Sequence, residues 1–196
     1  MRIIGGIYKG RVIAMPKDIR PTQDKVRKAL FDILGGIEGL SFLELFAGSA
    51  AVGLEAASRG AVELVLVEQD RRCLAVIRKN IESLKAQNCS LYPKESQDMV
   101  KLLARGGRSF DIVFLDPPYY KDLAKKTLQI LGAYDIVAPN GFVIIQHFKK
   151  DTLPPQAGNL ARFKQAHYGD TVLSFYRKQP PRKGSNVPES DISRDL

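Results

Sequence analysis

From residue 41 to residue 148 the chain alternates short apolar runs with helix-patterned segments, and this alternation constrains its fold more than any other feature. "SFLELF", "VELVLVE", "FDIVFLD" and "GFVIIQHF" are near-continuous apolar runs, as expected of strands buried on both faces. "CSLYPK" is a weaker run of the same kind. Between them lie "SAAVGLEAASRG", Asp70 to Gln87, "SQDMVKLLARGG" and "KDLAKKTLQILGAYDIV". In the second of these, Leu74, Ile77, Ile81 and Leu84 fall on one helical face, with Asp70 as its N-cap. Repeated βα units predict an α/β fold, a mostly parallel sheet with helices on both faces. Near the end, "ARFKQAHYGDTVLSFYRK" reads as two strands joined at Gly169-Asp170, a hairpin that closes the sheet.

The flanking segments differ. "RIIGGIYKGRVIAM" alternates β-branched and polar residues around Gly5-Gly6 and Lys9-Gly10, the pattern of a β-hairpin. "RPTQDKVRKALFDIL" predicts a helix capped by Thr22 and ended by Gly35-Gly36. Val26, Leu30, Ile33 and Leu34 form its inner face, and Arg27 and Lys28 stand outside it. After Lys178 the Pro-, Ser- and charge-rich "QPPRKGSNVPESDISRDL" reads as a disordered tail. The expected organisation is an N-terminal hairpin over 1–20, a main domain over 21–178 and a tail over 179–196.

Composition narrows the functional classes. Thirty Lys and Arg against 21 Asp and Glu give a net charge of +9, which favours polyanionic partners. No apolar run approaches the ~20 residues of a membrane span, and "MRIIGGIYKGR" is not a secretory leader. Cys73 and Cys89 read as reduced thiols of a cytoplasmic protein. His147 and His167 have no cysteine at ligand spacing, so no metal is expected. The chain is expected to be monomeric.

In open α/β sheets ligands bind beyond the carboxyl ends of the strands, and the informative residues stand there. The first strand carries Glu44 and runs through Phe46 into the small-residue turn Ala47-Gly48-Ser49-Ala50, which lets a ligand approach backbone and helix N-terminus. Gly48 and Gly53 fit a G-x-G-x-x-G pattern with Ala50 at its middle position. The second strand ends at Glu68, twenty residues after Gly48, the spacing of an acid that takes ribose hydroxyls; Gln69 follows it. Ser96, Gln97 and Asp98 lie after the third strand, where they either reach an adenine edge or cap a helix. The fourth strand ends in "DPPYY". Two prolines stiffen this corner. Asp116 and the Pro117 carbonyl offer two acceptors to one exocyclic amine, Pro118 completes the turn, and Tyr119 offers a stacking face.

"LELFAGSAAVGLEAASRGA", "LVEQD" and "DIVFLDPPYY" together resemble class I S-adenosylmethionine-dependent methyltransferases with an N/DPPY motif. "RIIGGIYKGR" and "RPTQDKVRKALFDIL" narrow the resemblance to bacterial 16S ribosomal RNA guanine-N2 methyltransferases, over residues 2–177. The resemblance implies a Rossmann-like seven-stranded sheet with an antiparallel last strand. It further implies S-adenosylmethionine as cofactor and small-subunit ribosomal RNA, or the assembling 30S particle, as partner. Carried onto this chain, the catalytic corner is Asp116, Pro117, Pro118 and Tyr119. The cofactor set is Thr22, Glu44, Phe46, Ala47, Gly48, Ser49, Glu68, Gln69, Gln97, Asp98 and Asp116. Arg2, Lys9, Arg11, Arg20, Arg27 and Lys28, with Tyr119, are the expected RNA contacts. The chain departs from the family pattern at Ala50, usually glycine, at Gln97-Asp98, and at Gln146, where many relatives carry glutamate. Three alternatives stay open: an adenine-N6 methyltransferase acting on DNA or another RNA, a nicotinamide-dependent oxidoreductase, and a non-catalytic RNA-binding protein with a vestigial cofactor pocket.

Overall fold

A computed structural model describes residues 1–17, 24–119 and 122–179. Among the described residues, five helices accompany eight strands. The helices are α1 (Asp24–Leu34), α2 (Ala51–Ser58), α3 (Arg71–Leu84), α4 (Ser96–Arg105) and α5 (Leu123–Ala133). The strands are β1 (Ser41–Leu45), β2 (Glu63–Glu68), β3 (Cys89–Pro93), β4 (Phe110–Leu115), β5 (Val137–Phe148), β6 (Gln156–Ala157), β7 (Leu160–Tyr168) and β8 (Thr171–Lys178). They form one sheet in the order β3-β2-β1-β4-β5-β8-β7-β6. Neighbours from β3 to β5 are parallel, whereas β8 is antiparallel to both β5 and β7. The expected seven strands are present, and the two-residue β6 adds an eighth at the edge beside β7. The helix expected through Val137 stops at Ala133, because Val137 already pairs with Phe110 as the start of β5.

Alternation along each strand divides the core into two layers. Phe42, Leu64, Leu66, Ile112, Phe114 and Ile144 face α1, α2 and α3. Leu43, Leu45, Val65, Val67, Val113, Leu115, Val143 and Ile145 face α4 and α5. Both faces of the parallel strands are covered, which explains the continuous apolar runs. The predicted cap holds: Asp70 accepts from the amides of Arg72 and Cys73 at the start of α3. Thr22, the expected cap of the first helix, lies outside the described residues, as do Arg20 and residues 180–196.

The N-terminal segment packs against the main domain. It turns back on itself as a short hairpin, with an antiparallel bridge from Arg2 to Val12 flanked by bonds from the Ile3 amide to the Arg11 carbonyl and from the Ile13 amide to the Met1 carbonyl. Other amides reach α2: Ile4 donates to Glu55 Oε2, Ile7 to the Ser58 carbonyl and Tyr8 to Ser58 Oγ. Ile3 and Ile13 are buried in the core of the α1–α3 layer. The segment therefore lies on α2 as part of the main core. Gly6 enforces the contact. It has φ +72°, and a Cβ there would come within 1.7 Å of the Ser58 carbonyl oxygen.

Candidate active site

The parallel register sets four residues in one row. Leu45 pairs with Val67 and Leu115, and Leu115 with Ile145. One residue further along, Phe46, Glu68, Asp116 and Gln146 cross the carboxyl end of the sheet at one level. The strand-end residues Glu68 and Asp116 thus meet because β1, β2 and β4 end together, beside Gln146 on the longer β5.

Backbone strain shapes the turn after β1. Phe46, Gly48 and Ala50 all have φ near +60°, in the left-handed region. For Ala50 that conformation costs roughly 1–2 kcal/mol. Its methyl is fully buried, which returns about 0.8 kcal/mol. Burial of the methyl offsets part of that cost. Gly53, one turn into α2, is required for packing: a Cβ there would lie 2.6 Å from Glu44 Oε2 and 2.7 Å from Leu66. At Gly48 an added Cβ would meet nothing within 4 Å. The half-buried Gly48 borders open space there, a cradle suited to a nucleoside cofactor.

Glu68 holds this turn from the β2 side. Its Oε2 accepts from the Gly48 amide at 2.8 Å, and its Oε1 from the amides of Gln69 at 2.7 Å and Asp70 at 2.8 Å. A carboxylate offers about four acceptor positions, so one remains open to a further donor. Gln69 itself is exposed. Ala47 donates to the Val67 carbonyl, and Ser49 is buried beneath the turn.

Glu44 sits below this surface. It is buried and accepts from the Gly53 amide at 2.8 Å. Burial pushes its carboxyl up to about 8, with Asp116 and Glu68 adding to the rise and the Gly53 amide opposing it. Glu44 fixes α2 under the turn. At the β3 end the α4 cap is Glu95, which accepts from the amides of Gln97 and Asp98. Ser96 Oγ lies 3.3 Å from the Phe46 amide that donates to it. Asp98 is exposed and paired with Lys101 at 3.1 Å, and Gln97 is half-buried at the same helix start.

At the corner, Pro117 is buried and Pro118 exposed. Gln146 Nε2 donates to Asp116 Oδ2 at 2.8 Å, and Gln146 is 5% exposed. The half-buried Tyr119 ring leans on Phe148, centroids 5.8 Å apart at 35°, with its hydroxyl 3.4 Å from Thr171 Oγ1. That packing sets the orientation of the ring beside the corner. Behind the corner, Pro117, Pro118, Leu123, His147, Asp151 and Leu153 line a small cleft. His147 is held by Ser174 Oγ at 2.8 Å, and burial pulls its pKa below the usual imidazole value.

The five described basic residues expected to hold RNA separate in the structure. Arg27 is a correction. It is fully buried, donates to the Arg2 carbonyl and to Asp24, and lies 3.7 Å from Glu55. The N-terminal segment crosses α1 on the face that helical periodicity left outside, so this guanidinium cannot meet a phosphate. Arg11 is exposed but donates to the carbonyls of Ser83 and Leu84 at the end of α3, a favourable place for a cation. Arg2 donates to the Gly10 carbonyl at 2.8 Å. Lys9 is exposed, and Lys28 forms an exposed pair with Asp32 at 2.6 Å, worth little in itself. Sequence reading missed Glu55 and Asn80, both buried polar residues joining the N-terminal segment to the helices. Asn80 had a signal, since it follows Cys73 and Ile77 on the apolar stripe of α3.

The thiols take no part: burial raises Cys73 to about 11 and Cys89 to about 12. Among the described residues no group of His, Cys, Asp and Glu is arranged to hold a metal, and no helix is long and apolar enough to cross a membrane.

Comparison with known proteins adds to this geometry. Ribosomal RNA small subunit methyltransferase D of Escherichia coli K12 is 32% identical over 182 residues, 91% of this chain and 90% of the relative. The solved structure of the E. coli protein yhhF superposes with a TM-score of 0.81 at 32% identity, covering 91% of this chain and 98% of that one. A hypothetical protein of Thermus thermophilus gives a TM-score of 0.79 at 33% identity, covering 89% and 98%. The family model described as Conserved hypothetical protein 95 matches residues 1–177. The chain belongs to that family, the family of the small-subunit ribosomal RNA methyltransferase D proteins.

Proposed function

We propose that this protein methylates the exocyclic N2 amine of a guanine in small-subunit ribosomal RNA, using S-adenosylmethionine. The single observation that carries the reading is the row of Phe46, Glu68, Asp116 and Gln146 at one level of the sheet. It sets a ribose-binding acid and an amine-binding corner on either side of the open turn at Gly48. The relatives named small-subunit methyltransferase D support the choice of ribosomal RNA.

The residues present fit the cofactor. The open backbone at Gly48 admits a nucleoside, Glu68 takes a ribose hydroxyl, and Phe46 and the Ala47-Gly48-Ser49 turn border its sugar and tail. The bound cofactor supplies a methyl group already activated on a sulfonium, so the protein's work is positioning and electrostatics. The Asp116 carboxylate and the Pro117 carbonyl accept the two N–H bonds of the target amine and turn its lone pair toward the methyl. Positive charge grows on that nitrogen as the C–N bond forms and the methyl–sulfur bond breaks, the carboxylate stabilises it most in the transition state, and the surplus amine proton then leaves to solvent. The base leaves its stack to reach the corner, with Tyr119 against its face. Lys9, Lys28 and Arg2 contact phosphates around it.

Nucleoside digestion of ribosomal RNA from a strain lacking this protein tests the whole reading. One N2-methylguanosine of the small subunit should vanish and return on complementation. Loss of an N6-methyladenosine in its place would move the target to adenine, and an unchanged digest would end the enzymatic reading.

A further inference from the structure

We infer that Asn80 is a positioning residue that couples the cofactor turn to the N-terminal segment, so that cofactor and RNA strengthen each other's binding. The inference rests on the cofactor and RNA roles proposed above. Asn80 lies on α3 and is 2% exposed. A buried amide is costly unless its hydrogen bonds are made, and this one makes three. Its Oδ1 accepts from the Ala14 amide at 2.7 Å, and its Nδ2 donates to the Ala14 carbonyl at 3.0 Å. The second N–H of Nδ2 donates to the Ser49 carbonyl at 3.1 Å. The orientation of the amide is fixed by its partners: one N–H needs the oxygen, and two carbonyls need the nitrogen.

The two partners belong to the two binding elements. Ala14 ends the N-terminal segment just after buried Ile13, and Ser49 precedes the left-handed Ala50 in the turn. The Ser49 carbonyl belongs to the peptide plane that must rotate if Ala50 changes conformation. Glu68 holds the same turn at the Gly48 amide, from the opposite strand. The turn is thus clasped on two sides, and of these two clasps the one through Asn80 continues into the N-terminal segment. Any rotation of the Ser49 peptide on cofactor entry acts on Ala14 through one planar group. Linkage makes the effect reciprocal.

The test compares the affinity of the full chain for a small-subunit ribosomal RNA transcript with and without saturating S-adenosylhomocysteine. Amide hydrogen exchange at Ile13 and Ala14 is followed in parallel. The wild type should bind RNA at least about fivefold more tightly with the nucleoside, the lower range of allosteric coupling, and exchange at Ala14 should slow. In Asn80→Ala the ratio of the two RNA affinities should fall to about one, whatever happens to each affinity alone. An Asn80→Ala protein that keeps the wild-type ratio overturns the coupling role. So does a wild-type Ala14 amide indifferent to the nucleoside, a result that decides the matter even where the variant does not fold. A wild-type chain that binds neither nucleoside nor RNA strikes the underlying reading of the site, and the two failures are told apart by these binary titrations.

Discussion

Gln146 points its amide nitrogen at Asp116 Oδ2 from 2.8 Å, across the ends of two parallel strands. The bond holds the carboxylate in one orientation at the strand end. Asp116→Ala should fold and bind cofactor, yet lose about 100-fold or more in single-turnover methyl transfer. Asp116→Asn should lose less, because its amide oxygen still accepts from the target amine. Gln146→Leu removes only the supporting donor, and about tenfold is expected, one hydrogen bond to a carboxylate. Equal rates for wild type and Asp116→Ala would reduce the corner to a turn.

Glu68 serves three backbone amides in the protein alone. Glu68→Ala should weaken S-adenosylmethionine binding by ~1–3 kcal/mol in calorimetry, the scale of hydrogen bonds to a charged group. It should also lower the melting temperature, because Gly48, Gln69 and Asp70 lose their acceptor. Unchanged cofactor affinity beside a lowered melting temperature would confine Glu68 to holding the turn.

Glu44 makes stability depend on pH. Its carboxyl is raised by burial from 4.5 to about 8 in the folded chain. Between those values the folded state keeps a proton that the unfolded state has released, so stability falls as pH rises through the window. Glu44→Gln cannot ionise and keeps an acceptor for the Gly53 amide. Melting curves of the two proteins should agree near pH 4.5 and diverge toward pH 8, with the variant the more stable. Parallel curves would show that Glu44 does not titrate in this range.

The N-terminal segment calls for charge reversal in preference to deletion. Removing it would expose the core around Ile3 and Ile13, so loss of activity on truncation would reflect unfolding. Lys9→Glu combined with Lys28→Glu alters two exposed side chains. RNA affinity should fall, its dependence on salt should flatten by about two contacts, and cofactor affinity should hold. Gly6→Ala should act differently, through stability. At φ +72° and 1.7 Å from the Ser58 oxygen, a methyl group is expected to cost more than about 2 kcal/mol. An unchanged melting temperature would show that the segment shifts freely on α2.

The sequence by itself determined the layers of this protein and the level at which its site lies. Period and apolar continuity are local properties, and they located α3, its Asp70 cap, β1, β2 and β4, and the acids at the strand ends. Because parallel strands in βα units run the same way, ending a strand in Glu68 or Asp116 was enough to put both on one edge. The tertiary structure alone decided which charged and polar side chains face water. Arg27 stands outside its helix's apolar stripe and is nonetheless buried, because a segment 25 residues earlier in the chain crosses it and supplies the Arg2 carbonyl. Asn80 stands on the apolar stripe and is satisfied only because Ala14 and Ser49, 66 and 31 residues away, converge on it. Helical periodicity describes one helix against one sheet. Where a third element packs on top, the partners of a polar group come from distant chain, and folding alone brings them into reach.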